Sequence, residues 1–309
     1  MNAVQKEQIK DALSNYLEHH DMSQNEFAKQ SGVNVSYISN IRAGNTAVGN
    51  TPIADKWYTM IAEKIGFKID KNYWLPRETE QLLRIIPTLE DAKRYGYTRI
   101  IIGETGSGKT YGLDLFERQY PTDLFSIKVG SSDNLGDLLD KLIDKLKIPT
   151  GRTKSKKIRD IIKYLKNLKN EGHNPMIAFD ECEFMKVATI CSVKELYDAL
   201  VGVCAIILIG TQQFLDNLKI LVRKDKTGMR QFYRRVKFGI VELPSIDRTF
   251  KQFLNTDLNT DIKKFLKENC DNYGELHDVL VPSMREADRL ETPLTVNLIR
   301  NVLGMPTAS

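Results

Sequence analysis

Apolar positions change their spacing along this chain, and the change divides it. From Tyr97 onward, short β-branched runs at 98–102, 124–129, 175–180, 204–209 and 239–243 alternate with longer stretches of helical spacing. Runs that are nearly all apolar suit strands buried on both faces, so the pattern predicts an α/β domain over 97–245 built on a parallel sheet. Residues 1–66 carry helical patterns with short breaks. The segment 67–96, with Pro76 and Pro87, reads as a linker leading into a helix. Near Pro244 the strands stop, and 246–309 reads as a small helical domain.

Within the first segment, residues 22–44 have the spacing of a helix-turn-helix. A first helix runs over 24–30, and small Ala28 stands where the helices cross. Gly32 supplies the turn, and a second helix starts near Asn34 or Ser36. Ile38 and Ile41 face the core, which leaves Ser36, Tyr37 and Asn40 outward as DNA-contact candidates. This spacing is similar to that of Cro/CI-type repressor modules. Residues 1–66 hold six Lys or Arg and seven Asp or Glu, a poor balance for a module that must hold DNA alone. It either assists DNA binding or mediates protein contacts.

Composition is that of a globular chain, 41% hydrophobic and 28% charged, with a net charge of +5. No apolar run approaches the roughly 18–20 residues of a membrane span, and the N-terminus has no signal-peptide core. A cytoplasmic protein without membrane contact is expected. Cys182, Cys191, Cys204 and Cys270 form no close pair, which favours reduced thiols over a disulfide framework or zinc site. Positive charge is concentrated in two places. Residues 151–170 carry eight Lys or Arg against Asp160 alone, and 217–239 carry eight against Asp225 alone. Each is either a nucleic-acid footprint or a solvated face.

The first apolar run leads into Gly103-Glu104-Thr105-Gly106-Ser107-Gly108-Lys109-Thr110, a full match to G-x-x-x-x-G-K-[ST], followed by Tyr111 and a helical pattern. Glycines let main-chain N–H groups turn inward around phosphates, and the helix N-terminus adds its positive end. Lys109 is expected on the β- and γ-phosphates of ATP, and the Thr110 hydroxyl on Mg²⁺. A later apolar strand ends in Asp180-Glu181. Asp180 is the second Mg²⁺ candidate, and Glu181 the group that polarises the attacking water.

The next buried strand ends in Thr211, which either senses the γ-phosphate or caps the following helix. Arg230, Arg234 and Arg235 precede the last strand. One of them serves as an arginine finger toward a neighbouring subunit, or the group contacts DNA, or it solvates a surface.

Taken in order, these features resemble the AAA+ target-DNA-binding ATPases of transposing elements, the family of phage Mu B protein, IstB and TnsC. The resemblance implies a P-loop sheet of order 5-1-4-3-2, a small C-terminal helical domain and an all-α helix-turn-helix domain in front. It implies ATP-dependent, largely sequence-nonspecific binding of double-stranded DNA, a helical homo-oligomer on that DNA, and delivery of the target to a DDE transposase. Slow ATP hydrolysis, stimulated by DNA and transposase, and a bacterial mobile-element or phage origin go with it. Family members carry Arg-x-Phe-Ser-Arg before the last strand. Here Arg230-Gln-Phe232-Tyr-Arg234 makes Arg234 the matched finger. Their DNA-facing basic helix corresponds to Arg152, Lys154, Lys156, Lys157 and Arg159. One departure stands out: the family's Gly-x-Leu-Arg, whose arginine is sensor 2, reads Gly274-Glu-Leu276-His277. Histidine cannot fork onto a phosphate as arginine does, so sensor 2 is weakened, or Arg285 or Arg289 replaces it, or His277 is structural. The alternatives to the transposition role are an ATP-gated helix-turn-helix transcription regulator and a helicase-loader-like ATPase.

Overall fold

The computed structural model describes residues 1, 3–49, 51–67, 73–255 and 258–306. Residues 68–72 of the expected linker, 2 and 50 of the N-terminal segment, and 256–257 and 307–309 of the expected helical domain lie outside the described residues. The chain separates into two compact units, Met1–Tyr73 and Trp74–Ser309. Among the described residues no helix is long and apolar enough to cross a membrane.

The first unit holds helices α1 (Ala3–His19), α2 (Gln24–Ser31), α3 (Val35–Arg42) and α4 (Asp55–Lys64). It is all-α except for a two-residue antiparallel hairpin, β1 (Ala47–Val48) with β2 (Thr51–Pro52), which the sequence reading did not contain. Ser23 and Glu26 form a capping box at the start of α2, worth about 1 kcal/mol. Gly32 ends that helix at φ +70°, a conformation that costs glycine little. Asn34 caps α3. Ile38 and Ile41 enter one core with Ile9, Leu13, Phe27 and Ile61.

The second unit begins with α5 (Glu80–Tyr95), which carries Pro87 inside it rather than in a linker. There follow β3 (Thr98–Ile102), α6 (Lys109–Gln119), β4 (Leu124–Lys128), α7 (Leu135–Leu146), α8 (Lys154–Asn170) and β5 (Met176–Asp180). Next come α9 (Val187–Leu200), β6 (Ala205–Gly210), α10 (Gln212–Arg223), α11 (Met229–Val236) and β7 (Ile240–Glu242). The chain closes with α12 (Lys251–Leu254), α13 (Thr260–Asn269), α14 (Tyr273–Arg289) and α15 (Val296–Val302).

All five strands of the main sheet are parallel, in the order β4-β5-β6-β3-β7. Numbered by chain position within the sheet and read from the other edge, this is 5-1-4-3-2. Alternate residues along each strand serve opposite faces. Ile100, Ile102, Ile177, Phe179, Ile206 and Leu208 meet the helices α7 to α11. Ile101, Met176, Ala178, Ala205, Ile207 and Ile209 meet α5 and α6. Burial on both faces is the reason these strands read as unbroken apolar runs.

Helices α12 to α15 have their own core, around Phe250, Phe265, Leu266, Leu276 and Ile299, with Trp74 packed against it. The buried Gln81 side chain joins this core to the sheet. Its amide donates to the carbonyls of Pro244 and Ser245, both at 3.0 Å, and its carbonyl accepts from the Tyr273 hydroxyl at 3.1 Å.

Candidate nucleotide site

The parallel sheet sends β3, β5 and β6 to one edge, and their ends supply the candidate site. Gly103–Gly108 turns between β3 and α6, with Gly106 at φ +72° and Gly108 at φ +86°. Gly103 donates to the Gly210 carbonyl, tying the loop to the end of β6. Glu104 and Thr105 are exposed. Lys109 Nζ donates to the carbonyls of Gly103 at 2.8 Å and Glu104 at 2.6 Å. Burial lowers the Lys109 pKa below that of a free lysine, and nearby Glu183, Asp180, Glu104 and Glu181 oppose that shift.

Thr110 Oγ1 donates to Asp180 Oδ2 at 2.6 Å, so two residues seventy positions apart meet at the loop's floor. Asp180 also accepts from the Glu181 amide at 2.9 Å. Glu181 stands at φ +58°, rare for a residue with a side chain and costing about 1–3 kcal/mol. Its carboxylate pairs with Lys128 Nζ at 2.8 Å, and that hydrogen bond raises the Lys128 pKa. Thr211 occupies the N-cap position of α10, but its hydroxyl makes no capping bond; its amide donates to Glu183 Oε2 at 3.3 Å.

A cavity of about 340 Å³ opens beside the loop. Gly106, Ser107, Gly108, Lys109, Thr110 and Tyr111 form its polar end. Trp74, Phe253, Tyr273 and His277 form an aromatic end. Trp74 stacks on Phe253 at 4.6 Å, and His277 meets Trp74 edge-on at 5.2 Å. The helical segment closes over the loop at Gly106, where a Cβ would stand 2.1 Å from Asn272 Oδ1. Arg77 also lines the cavity.

The donor set suits a magnesium nucleotide. A hydroxyl and a carboxylate in contact are a partial hard-oxygen set, and Mg²⁺ commonly takes its remaining ligands from phosphate and water. Among the described residues no three His, Cys, Asp or Glu side chains converge to hold a metal unaided. Ser107 Oγ is buried with no partner, a polar atom left over inside the loop.

Residues 93–218 match the model of the AAA domain. No curated protein matches the sequence. The fold of the chain is similar to that of solved archaeal proteins. The ORC2 protein of Aeropyrum pernix, solved as ADPNP–ADP complexes, is 15% identical, with 76% of this chain and 70% of that one covered at a TM-score of 0.51. Cdc6p of Pyrobaculum aerophilum is 14% identical, with 76% and 69% covered at 0.56. The ORC1 protein of Aeropyrum pernix in complex with DNA is 14% identical, with 75% and 66% covered at 0.54. At these identities the likeness concerns the fold.

The other sequence-predicted residues lie outside the cavity. On α11, Arg230 pairs with Asp225 and Arg235 with Asp198, at 2.9 and 2.8 Å. Arg234 is exposed and forms no ion pair with a described residue, which sets it apart from its neighbours. On α8 and the turn before it, Arg152, Lys154, Lys156 and Arg159 are exposed, and Lys163 and Lys166 extend their row. Lys156 is shared with Asp160 at 2.7 Å. Lys157 departs from the expected outward set: it is half-buried and turned toward Asp140 on α7.

In the first unit, Ser36 is exposed and Asn40 half-buried, and the Asn40 side chain bonds the Ser36 carbonyl. Tyr37 is less free than the sequence suggests, since its ring stacks on Trp57 at 5.2 Å. His277 sits at the aromatic end of the cavity with Nδ1 2.9 Å from Asp278. Arg285 and Arg289 line a different groove, with Leu298 and Asn301.

Sequence reasoning missed Lys128, Glu183, Asn272 and, in the aromatic wall, Trp74, Phe253 and Tyr273, though it singled out His277. Only Glu183 carried a local signal, as a carboxylate two residues past Glu181. The others come from chain-distant elements.

Proposed function

We propose that this chain is an AAA+ ATPase that, in an ATP-dependent manner, binds double-stranded DNA with little sequence preference, assembles on it as a filament, and presents it to a DDE transposase. The observation that carries the nucleotide chemistry is the Thr110–Asp180 contact at the floor of the P-loop, with Glu181 beside it. The loop amides and Lys109 hold the β- and γ-phosphates, and the aromatic wall holds the base. Thr110 and Asp180 would hold Mg²⁺, which would supply charge neutralisation at the phosphate oxygens. Glu181 accepts the proton of the attacking water once its carboxylate leaves Lys128. Thr211 lies beside these groups as the sensor of the γ-phosphate.

Arg234 acts on the site of an adjacent subunit, which couples hydrolysis to assembly. Its exposure and lack of an internal partner support that role over Arg230 and Arg235. The exposed row on α8 tracks the phosphate backbone, which suits sequence-tolerant binding. The transposition role rests on the order of motifs along the whole chain.

A replication initiator or helicase loader is the second reading, favoured by the fold likeness to the ORC and Cdc6 proteins. The deciding experiment measures binding to unrelated duplexes across a salt series, with ADP, ATP and a non-hydrolysable analogue, and images the products. ATP-dependent filaments on every duplex, disassembled on adding transposase, are expected. Discrete complexes on one sequence only would instead indicate a transcription regulator. Capture of a replicative helicase without response to transposase would indicate a loader.

A further inference from the structure

Where β3 begins, at the opposite end of the strand from the P-loop, exposed aromatic side chains gather. The five-residue strand separates the two places by roughly 16 Å. Tyr95 and Tyr97 flank Gly96 and stack on each other at 5.4 Å. The loop after α9 reaches the same place, where a Cβ on Gly96 would stand 3.0 Å from the Gly202 main chain. Beside Gly202, Val201 is 62% exposed. From the other side, a Cβ on Gly239 would stand 2.6 Å from the Thr98 carbonyl oxygen, and the preceding Phe238 is 88% exposed. These side chains contribute nothing to the sheet's core and lie away from the nucleotide cavity. Isolated exposed apolar residues are common, but a cluster of this kind marks an interaction surface.

Each ring in the cluster carries a cation. Arg94 lies over Tyr95, Arg99 over Tyr97, Arg235 over Tyr197 and Lys237 over Phe238, at 4.6 to 5.8 Å. Asp91 and Asp198 offset Arg99 and Arg235. Arg94 and Lys237 have no acidic partner among the described residues. At the centre is a cavity of about 160 Å³ lined by Tyr95, Tyr97, Tyr197, Leu200 and Val201 among others. A guanidinium lying flat on a ring keeps its N–H edge free for a carboxylate. At Tyr95 and Tyr97 the mutual stacking and the two arginines occupy ring faces that nucleobases would need, which favours a peptide over single-stranded nucleic acid as the occupant.

We infer that this surface docks an acidic peptide segment of a partner protein, with one apolar side chain seated in the cavity and carboxylates on Arg94 and Lys237. The test selects displayed random peptides on the full chain and measures the enriched peptides by fluorescence anisotropy. Val201→Asp, Arg94→Glu and Lys237→Glu alter exposed positions, and unchanged binding of a fluorescent ATP analogue confirms that each variant is folded. Enrichment of acidic peptides with an apolar anchor, weakened about tenfold or more by Val201→Asp and by either charge reversal, is expected. No enrichment, enrichment of another composition, or binding indifferent to these variants overturns the inference. Variant-sensitive binding of single-stranded DNA, or self-association abolished by Val201→Asp, would assign the surface to nucleic acid or to a second copy and overturn it equally.

Discussion

Glu181 and Lys128 carry the chemistry that is easiest to test at the level of single residues. Glu181 is the carboxylate proposed to take the proton, since Asp180 is engaged by the Thr110 hydroxyl and the Glu181 amide, and Glu183 by the Thr211 amide. Glu181→Gln is expected to retain ATP binding and to lose hydrolysis by about 10²–10³-fold, read by fluorescent-nucleotide titration beside a phosphate-release assay. Lys128 holds the Glu181 carboxylate in an ion pair, which keeps it from an attacking water. Lys128→Met is therefore expected to raise DNA-free hydrolysis by a few fold, roughly the worth of a partly exposed ion pair. An unchanged or lower basal rate would show that the pair supports the active arrangement instead. The Asp180-Glu181 pair was legible in sequence as an apolar run ending in two carboxylates. Lys128 was not, because its partner stands on a neighbouring strand with a helix pair between them in the chain.

Among the elements, α8 and the start of β4 make distinct predictions. Exposed cations recur along α8 at the spacing of one helical face, whereas Lys157 turns to Asp140. Arg159→Ala and Lys163→Ala are each expected to reduce the slope of log affinity against log salt by about 1, with Lys157→Ala leaving it unchanged. The sequence showed the density of charge in this helix, and only the packing of α7 against it showed which lysine is turned inward. At the start of β4, burial alone would raise the Asp123 pKa. Its bonds to Lys93, at 2.5 Å, and to His173, at 2.7 Å, outweigh that and leave it below the ordinary value. A carboxyl with a lowered folded pKa stabilises the protein above its unfolded value of about 3.9, and that contribution fades as pH falls through the folded value. Asp123→Asn is expected to lower the melting temperature at pH 7 and to narrow the gap from wild type as pH drops below about 4. A gap constant with pH would remove the electrostatic explanation.

For the whole molecule, the decisive matter is whether one subunit completes another's site. Arg234 is exposed on α11 while Arg230 and Arg235 are held by Asp225 and Asp198. Arg234→Ala is expected to bind ATP normally and to hydrolyse it about 10³-fold more slowly on DNA. A mixture of Arg234→Ala and Glu181→Gln subunits should recover part of the lost activity, because some interfaces then join an intact finger to an intact Glu181. Failure of the mixture, with both variants still assembling, would show that Arg234 acts within its own subunit or not at all.

The sequence by itself determined the alternation of buried strands and helical stretches in the main sheet, the P-loop and the acidic strand end. These are local patterns, set by burial on both strand faces and by the backbone freedom of glycine. The order of the strands came from the family resemblance rather than from the periodicity of the residues. The tertiary structure alone decided the partners of the charged groups: Thr110 with Asp180, Glu181 with Lys128, Lys157 with Asp140. It also decided that Trp74, Phe253, Tyr273 and His277, scattered over the chain, face one cavity. Such contacts depend on how separate elements pack, and an ion pair or an aromatic wall leaves no periodic trace in the residues that form it.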